Sequence, residues 1–399
     1  MLHRLIDRND DLRRLVNEGY EIGLSTSNNH LLVKHVPYVN SRREVVYGTL
    51  VAALHLSGEI VNPPNDHVVK FIGEQPCNAE GQVINEITNP SGPENLDRDL
   101  RVDRTFSARP NTPFPSYYAK MTTYVGILEG YAQLIDKNAN ARTHRPYTLA
   151  ESESVFKYAD TSSSRAGISA LTDRLAIDRV AIIGLGGTGA YVLDFIAKTP
   201  VKEIHLYDGD RFSSHNAFRA PGATSIEMLE TLPQKVNYYE QSYSVMRRGL
   251  VVHDAYIDGE NLKELLTMNF VFLCLDMGKI KKAIVEALHQ AGRPFIDVGM
   301  GLQSIDEHLV GVVRTTASTL EKNDHVLETI PFVDGDVNNE YGYNIQIAEL
   351  NALNAALAVI KWKKLCGFYA DETHECSSFY SITQNSIINE CSICPDEKQ

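Results

Sequence analysis

From about residue 165 onward, short apolar runs rich in β-branched residues alternate with segments of helical spacing. The runs are 180–183, 204–207, 250–252, 270–275 and 295–298. The helical stretches fall at 191–197, 236–246, 262–266 and 280–291. Strands that are apolar throughout must be covered on both faces, so this alternation predicts a buried, largely parallel sheet and an α/β domain. Leu350, Leu353, Leu357 and Ile360 then repeat at helical spacing and predict a packing helix over 345–362. Residues 379–388 read as a terminal strand.

Residues 1–150 carry a different pattern. Leu2, Leu5 and Ile6 share one face of an opening amphipathic helix. Short alternating segments follow, such as 30–36 and 45–56, punctuated by Pro63-Pro64, Pro90, Gly92-Pro93, Pro110, Pro113 and Pro115. Such breaks predict an α+β, mainly β, domain. The polar stretch 151–164 reads as a linker or a helix N-cap region. The expected organisation is therefore 1–150, a linker at 151–164, and 165–399. No internal repeat stands out.

Composition narrows the function classes. The chain has 399 residues, 43% of them hydrophobic, and a formal net charge of -13. An acidic chain repels nucleic acid and anionic membrane, although a local basic pocket for phosphates remains compatible with it. No apolar run is long enough to span a bilayer, and the amino terminus lacks an apolar signal core. The six cysteines, Cys77, Cys274, Cys366, Cys376, Cys391 and Cys394, are sparse and irregular. The expectation is a reduced, soluble, cytoplasmic protein. Cys77 sits in a turn with nothing nearby to lower its pKa, and Cys274 lies inside an apolar strand and reads as core.

The segment RVAIIGLGGTGAYVLDFIAK is a strand, a glycine loop and a helix, and makes the domain Rossmann-like. Gly184, Gly186, Gly187 and Gly189 permit a tight turn and close approach of backbone to phosphate, and the helix that follows offers free N–H groups. This pattern alone does not separate NAD, FAD and ATP. About 20 residues on, Asp208 ends the next strand, where a carboxylate accepts from ribose hydroxyls.

The stretch DGDRFSSHNAFRAPG discriminates between these ligands. A dinucleotide site has no need of Asn216 and Arg219 here, whereas three phosphates need charges that position and neutralise them. Lys235 opens a later helix. Asp276 ends the strand FVFLCLD, where it points into the ligand crevice and offers an oxygen ligand to Mg²⁺.

The order GxGGxG, DxD, NxxR, Lys and strand-end Asp resembles the ThiF, MoeB and ubiquitin-activating (E1-like) adenylyltransferase superfamily over roughly residues 165–365. The resemblance implies ATP and Mg²⁺ as cofactors and adenylation of a carboxyl terminus on a ubiquitin-like or sulfur-carrier protein. By the same resemblance Asp208 binds the ribose, with Asp210 beside it. Asn216, Arg219 and Lys235 meet the phosphates, and Asp276 coordinates Mg²⁺. Arg165 is the candidate for an arginine contributed across a homodimer.

Three departures stand out: Ala220 where a glutamine is usual, Met277 where an asparagine is common, and no cysteine anywhere in 299–342. A thioester at the family's usual place is therefore not available, and an acceptor on another protein, such as an E2-like enzyme, or on another cysteine is implied. The first 150 residues, with HVPYVNSRREVVYGTL, resemble an uncharacterised domain fused to ThiF modules in bacteria near genes for ubiquitin-like proteins and proteases. That domain is a candidate for recognising the substrate or a partner.

Several relatives bind structural zinc through two CxxC pairs. Here His374, Cys376, Cys391 and Cys394 are the corresponding candidates, against free thiols in a short tail. Two further readings stay open: a non-catalytic E1-like scaffold that binds a ubiquitin-like partner, and an NAD(P)-dependent oxidoreductase. The second leaves Asn216, Arg219, Lys235 and Asp276 without a role.

Overall fold

A computed structural model describes residues 5–6, 8–25, 27, 29–108, 112–146, 154–276, 278–332 and 345–390. The chain divides into two compact units, Met1–Glu153 with Tyr158–Ser169, and Ser154–Lys157 with Ala170–Gln399. The polar stretch read as a linker is thus shared between them. Within the first unit, Asp160 caps a helix over Thr161–Ala166 that ends on left-handed Gly167. Within the second, Phe156 bridges Arg247.

The first unit holds an antiparallel sheet. Its strands are β1 (Glu21–Leu24), β2 (His30–Val39), β3 (Val45–Ala53), β4 (Val68–Ile72), β5 (Thr88–Asn89) and β6 (Arg104–Ser107), in the order β1-β2-β3-β4-β6-β5. Helices α1 (Asp10–Asn17) and α2 (Tyr117–Ile135) complete its core, where Leu12, Leu15, Met121, Tyr124 and Leu128 meet Val33, Phe71 and Phe106. The sequence reading omitted α2, whose Thr, Tyr and Val content and two internal glycines suggest strand and turn. The structure replaces that with 19 residues of helix, started by Ser116, whose hydroxyl accepts from the Ala119 N–H.

The second unit is built on eight strands: β7 (Arg179–Ile183), β8 (Glu203–Tyr207), β9 (Leu250–His253), β10 (Phe270–Leu273), β11 (Phe295–Ile305), β12 (His308–Ser318), β13 (Ser377–Ser381) and β14 (Ser386–Glu390). Their order is β9-β8-β7-β10-β11-β12-β13-β14. The first five are parallel and the last three antiparallel. The chain runs outward from β7 to β9, then returns to the other side of β7 at β10. That reversal opens a crevice at the carboxyl ends of β7 and β10, the place where open α/β sheets bind ligands.

Helices α3 (Gly187–Ala197) and α6 (Ala348–Leu365) share one core with Val180, Ile182 and Phe272, closed by fully buried Trp362. Helix α4 (Lys235–Ser244) adds Val236 and Tyr239 to that core. Helix α5 (Gly278–Gln290) and residues around Leu265 belong to a second core built on Ala181, Ile183 and Leu273.

Two expectations are corrected here. The strand of 295–298 is eleven residues long and turns back as β12 through Asp306 and Glu307, both left-handed. The strand read over 379–388 is a hairpin, β13 and β14, because left-handed Asn385 turns the chain.

Candidate active site

The glycine loop between β7 and α3 is shaped by its neighbours. Gly184 has φ +87 and its N–H donates to the Tyr207 carbonyl. A Cβ on Gly189 would lie 1.8 Å from the Gly184 carbonyl oxygen, and one on Gly187 would lie 1.9 Å from the Asn351 amide. Gly186 is different: a Cβ there meets nothing within 4 Å and would enter the cavity that Gly186 lines. Three of these glycines therefore serve close packing, and the fourth leaves room for a ligand.

That cavity, about 390 Å³, sits over the crevice of the second unit. Gly186, Gly187 and Thr188 border it at the start of α3, whose first N–H groups have no intrahelical acceptor. Asp208, Asp210, Arg219, Lys235 and Asp276 also line it, so five of the charged residues singled out in the sequence converge here. Ala255, Ile257, Leu275 and Ile280 supply an apolar wall.

Asp208 is almost fully buried and its carboxylate is well occupied. One oxygen accepts from the Leu185 N–H at 2.7 Å and the other from the Asp210 N–H at 2.8 Å. Lys235, also buried, places its ammonium 2.7 Å from Asp210 and 3.4 Å from Asp208. Tyr256 donates to the other oxygen of Asp210. Burial alone would raise the Asp210 carboxyl, but the bonds from Lys235 and Tyr256 outweigh it and hold the pKa below its ordinary value. His215 reports the positive side of the same region: burial, then the charges of Arg219 and Lys235, lower its pKa.

Asn216 does not line the cavity. Its side chain forms a capping box with Ser213, Oδ1 accepting from the Ser213 N–H at 3.0 Å, while its Nδ2 is buried without a hydrogen-bond partner. Nε of Arg219 is likewise buried and unpartnered. Asp276 is exposed beyond the end of β10 and accepts from the Gln346 amide at 3.3 Å. Arg165 lies in the first unit and donates to the Asn17 carbonyl at 2.7 Å.

The unpartnered Arg219 nitrogen, the glycine cradle and the Asp276 carboxylate on one cavity suit a polyphosphate with a divalent cation better than a neutral ligand, because buried polar groups without partners are costly.

Cys274, read as core, borders the cavity as well as packing against apolar neighbours, and burial pushes its thiol far up. A thiol in that state is a weak nucleophile. Cys77 is buried and shifted in the same direction for the same reason. Of the zinc candidates, Cys391 and Cys394 lie outside the described residues, as does Met277. Cys376 is buried, with its thiol 3.9 Å from the His374 carbonyl.

Sequence reasoning missed a layer of supporting residues. Asn351 on α6 is fully buried, accepts from Thr188 at 3.0 Å and donates to the Arg219 carbonyl at 3.2 Å. Asn354, one turn on, donates to the Gly299 carbonyl. Two asparagines three apart on the buried face of an apolar helix were the available signal. Asp297 on β11 is fully buried between Lys281 of α5, 3.0 Å away, and Arg314 of β12, 2.5 Å away, tying three elements beside the cavity.

Residues 163–317 match the ThiF family, and residues 10–161 match the family described as Domain of unknown function (DUF6791). The chain is 19% identical over 156 residues to ubiquitin-like modifier-activating enzyme 5 of Aedes aegypti and 22% identical over 157 residues to that of Xenopus laevis. Each alignment covers 36% of this chain and 39% of the relative, so the chain spans about two fifths of the length of these curated relatives.

Similar solved structures include E. coli MccB with MccA-N7isoASN, at 16% identity and a TM-score of 0.47, covering 58% of this chain and 69% of that one. Another is E. coli MccB with ATP, at 16% identity and a TM-score of 0.42, covering 57% and 70%. Residues 163–317 are therefore a ThiF family domain, joined in one chain to a DUF6791 domain.

Proposed function

We propose that the cavity binds ATP with Mg²⁺ and adenylates a substrate carboxylate, in its fullest form the carboxyl terminus of a ubiquitin-like or sulfur-carrier protein. The observation that carries this reading is the convergence of Asp208, Asp210, Arg219, Lys235 and Asp276 around a glycine loop whose one open position faces the cavity. A nicotinamide dinucleotide needs the loop and Asp208 but gives no work to Arg219, Lys235 and Asp276.

In this reading the loop N–H groups and the start of α3 hold phosphate oxygens. The apolar wall of Ala255, Ile257, Leu275 and Ile280 takes the adenine, and the remaining acceptor capacity of Asp208 and Asp210 takes the ribose. Bound Mg²⁺ would neutralise phosphate charge, and Asp276 is the residue that would hold it.

A substrate carboxylate oxygen attacks the α-phosphorus, the bond to the bridging oxygen of the β-phosphate breaks, and pyrophosphate leaves with the electron pair. Arg219 and Lys235 stabilise the charge that develops, and the unpartnered Nδ2 of Asn216, three residues before Arg219, is a further donor for it. No enzyme base is needed, because the nucleophile arrives ionised.

The acyl group then passes to a thiol or amine. The segment 299–342 has no cysteine and the Cys274 thiol is held protonated, which favours an acceptor on another protein. A homodimer would let Arg165 of each chain serve the site of the other, and light scattering gives the stoichiometry. Incubating the full chain and Mg-ATP with a ubiquitin-like protein that ends in a free glycine carboxylate tests the reading. AMP-linked substrate and pyrophosphate are expected, and neither with the carboxyl-terminal amide. Tight binding of NADH with no binding of ATP would overturn it.

A further inference from the structure

Among the described residues, three metal-ligating side chains converge at one place, and it is not the cavity described above. Strands β8 and β9 pair in parallel with His253 directly opposite Tyr207. His205 lies two residues before Tyr207 and so projects from the same face of the sheet. Glu264, on the short helix Leu262–Leu265, reaches the same spot.

His205 Nδ1 is 3.0 Å from His253 Nε2 and 3.9 Å from a Glu264 carboxylate oxygen. His253 Nδ1 is 3.7 Å from the other oxygen of Glu264. We propose that His205, His253 and Glu264 form a zinc site that fastens the edge of the sheet.

Three features beyond proximity point to an ion. First, the spacing fits. Zinc bonds of about 2.0–2.1 Å at tetrahedral angles place donor atoms about 3.3 Å apart; the two imidazole nitrogens stand at 3.0 Å, and the Glu264 oxygen, with all three donors within 4.8 Å of one another, closes the set by a movement of its partly exposed side chain. Second, the distal nitrogen of His205 faces a carboxylate: Nε2 is 3.4 Å from Glu203, which Arg179 holds in turn at 3.0 Å. A carboxylate behind a ligating imidazole is the usual way a metal-binding histidine is oriented and its donor nitrogen kept free.

Third, the Tyr207 ring lies flat on His253, with centroids 4.0 Å apart and 7° between planes. Its hydroxyl is buried and faces the Glu264 carboxylate. The nearly inaccessible phenol thus packs on His253 and faces Glu264, and so holds two of the three ligands toward one spot shielded from water.

Two imidazole nitrogens and one carboxylate oxygen suit zinc rather than magnesium or calcium, which prefer oxygen donors throughout. The site would join β8, β9 and the Leu262–Leu265 turn immediately behind the strand end that carries Asp208. None of its three ligands lines the cavity described above, and none is a cysteine.

The test uses the full chain, stripped by a chelator and titrated with Co²⁺ alone as the probe. The expected result is one Co²⁺ per chain with ligand-field bands of a nitrogen and oxygen site and no thiolate charge-transfer band. That cobalt is displaced by Zn²⁺ and lost in both His253→Gln and Glu264→Gln, with unchanged circular dichroism. Both substitutions fall on partly exposed side chains. The proposal fails if either folded variant binds Co²⁺ as the parent does, if thiolate bands account for all the bound metal, or if the parent binds none.

Discussion

Single atoms separate the glycines of the loop by purpose. Gly189→Ala drives a methyl into the Gly184 carbonyl, 1.8 Å away, and should cost about 1–3 kcal/mol of stability, seen as a lowered thermal midpoint. Gly186→Ala meets no protein atom and should leave the midpoint nearly unchanged while weakening ATP binding at least tenfold by calorimetry.

Asn216 caps its own short helix and, in the proposed function, also donates to phosphate, and a conservative change divides the two. Asn216→Asp keeps the oxygen that accepts from Ser213 but replaces the unpartnered Nδ2 donor with an acceptor oxygen that would repel phosphate. Adenylation should fall by about 10²-fold or more, the loss typical of one oxyanion-type donor, and well beyond what the stability cost of burying the new carboxylate explains. Equal losses of stability and activity would make Asn216 a cap alone. At this scale the charged residues were legible because their order along the chain is specific. Asn351, Asn354 and the Lys281–Asp297–Arg314 group were not, since each depends on partners far away in sequence.

Elements follow the apolar pattern where burial is two-sided. The five parallel strands announced themselves as continuous apolar runs, and α6 as a leucine period. The pattern failed where chain reversal depends on left-handed residues without glycine, as at Asp306-Glu307 and Asn385. It failed again at α2, whose local propensity is overridden by packing onto a sheet.

The segment after α6 is held differently, by charge. Asp371 and Glu375 meet Lys361 and Lys364 at 2.8 to 3.7 Å. Burial would raise the Asp371 carboxyl, yet the hydrogen bond and charge of Lys361 win, and its pKa falls to about 2. A carboxyl depressed on folding stabilises above its unfolded pKa of about 3.9, and that contribution is lost as pH falls toward 2. Asp371→Asn should therefore lower stability at pH 7 by roughly 2 kcal/mol, with the difference from the parent shrinking as pH falls through 2 and vanishing below it, as read from urea midpoints against pH.

For the whole molecule, the division into a mainly β unit and an α/β unit was visible in the change from proline-broken alternation to long apolar runs. The exact boundary was not, because residues 154–169 are polar and belong partly to each unit. No described helix is long and apolar enough to cross a membrane. The acidic balance of the chain makes the cationic side of the cavity, Arg219 and Lys235, a local feature set against a net charge of -13.

In the proposed function this cavity cleaves ATP between the α- and β-phosphates. ATP–pyrophosphate exchange, with Mg²⁺ and a ubiquitin-like protein bearing a free carboxyl terminus, measures that step directly. Exchange that requires the free carboxylate and disappears in Asp276→Ala, with the variant still folded, is the expected result. Exchange undiminished in Asp276→Ala, or an absence of ATP binding by the parent chain, would contradict it.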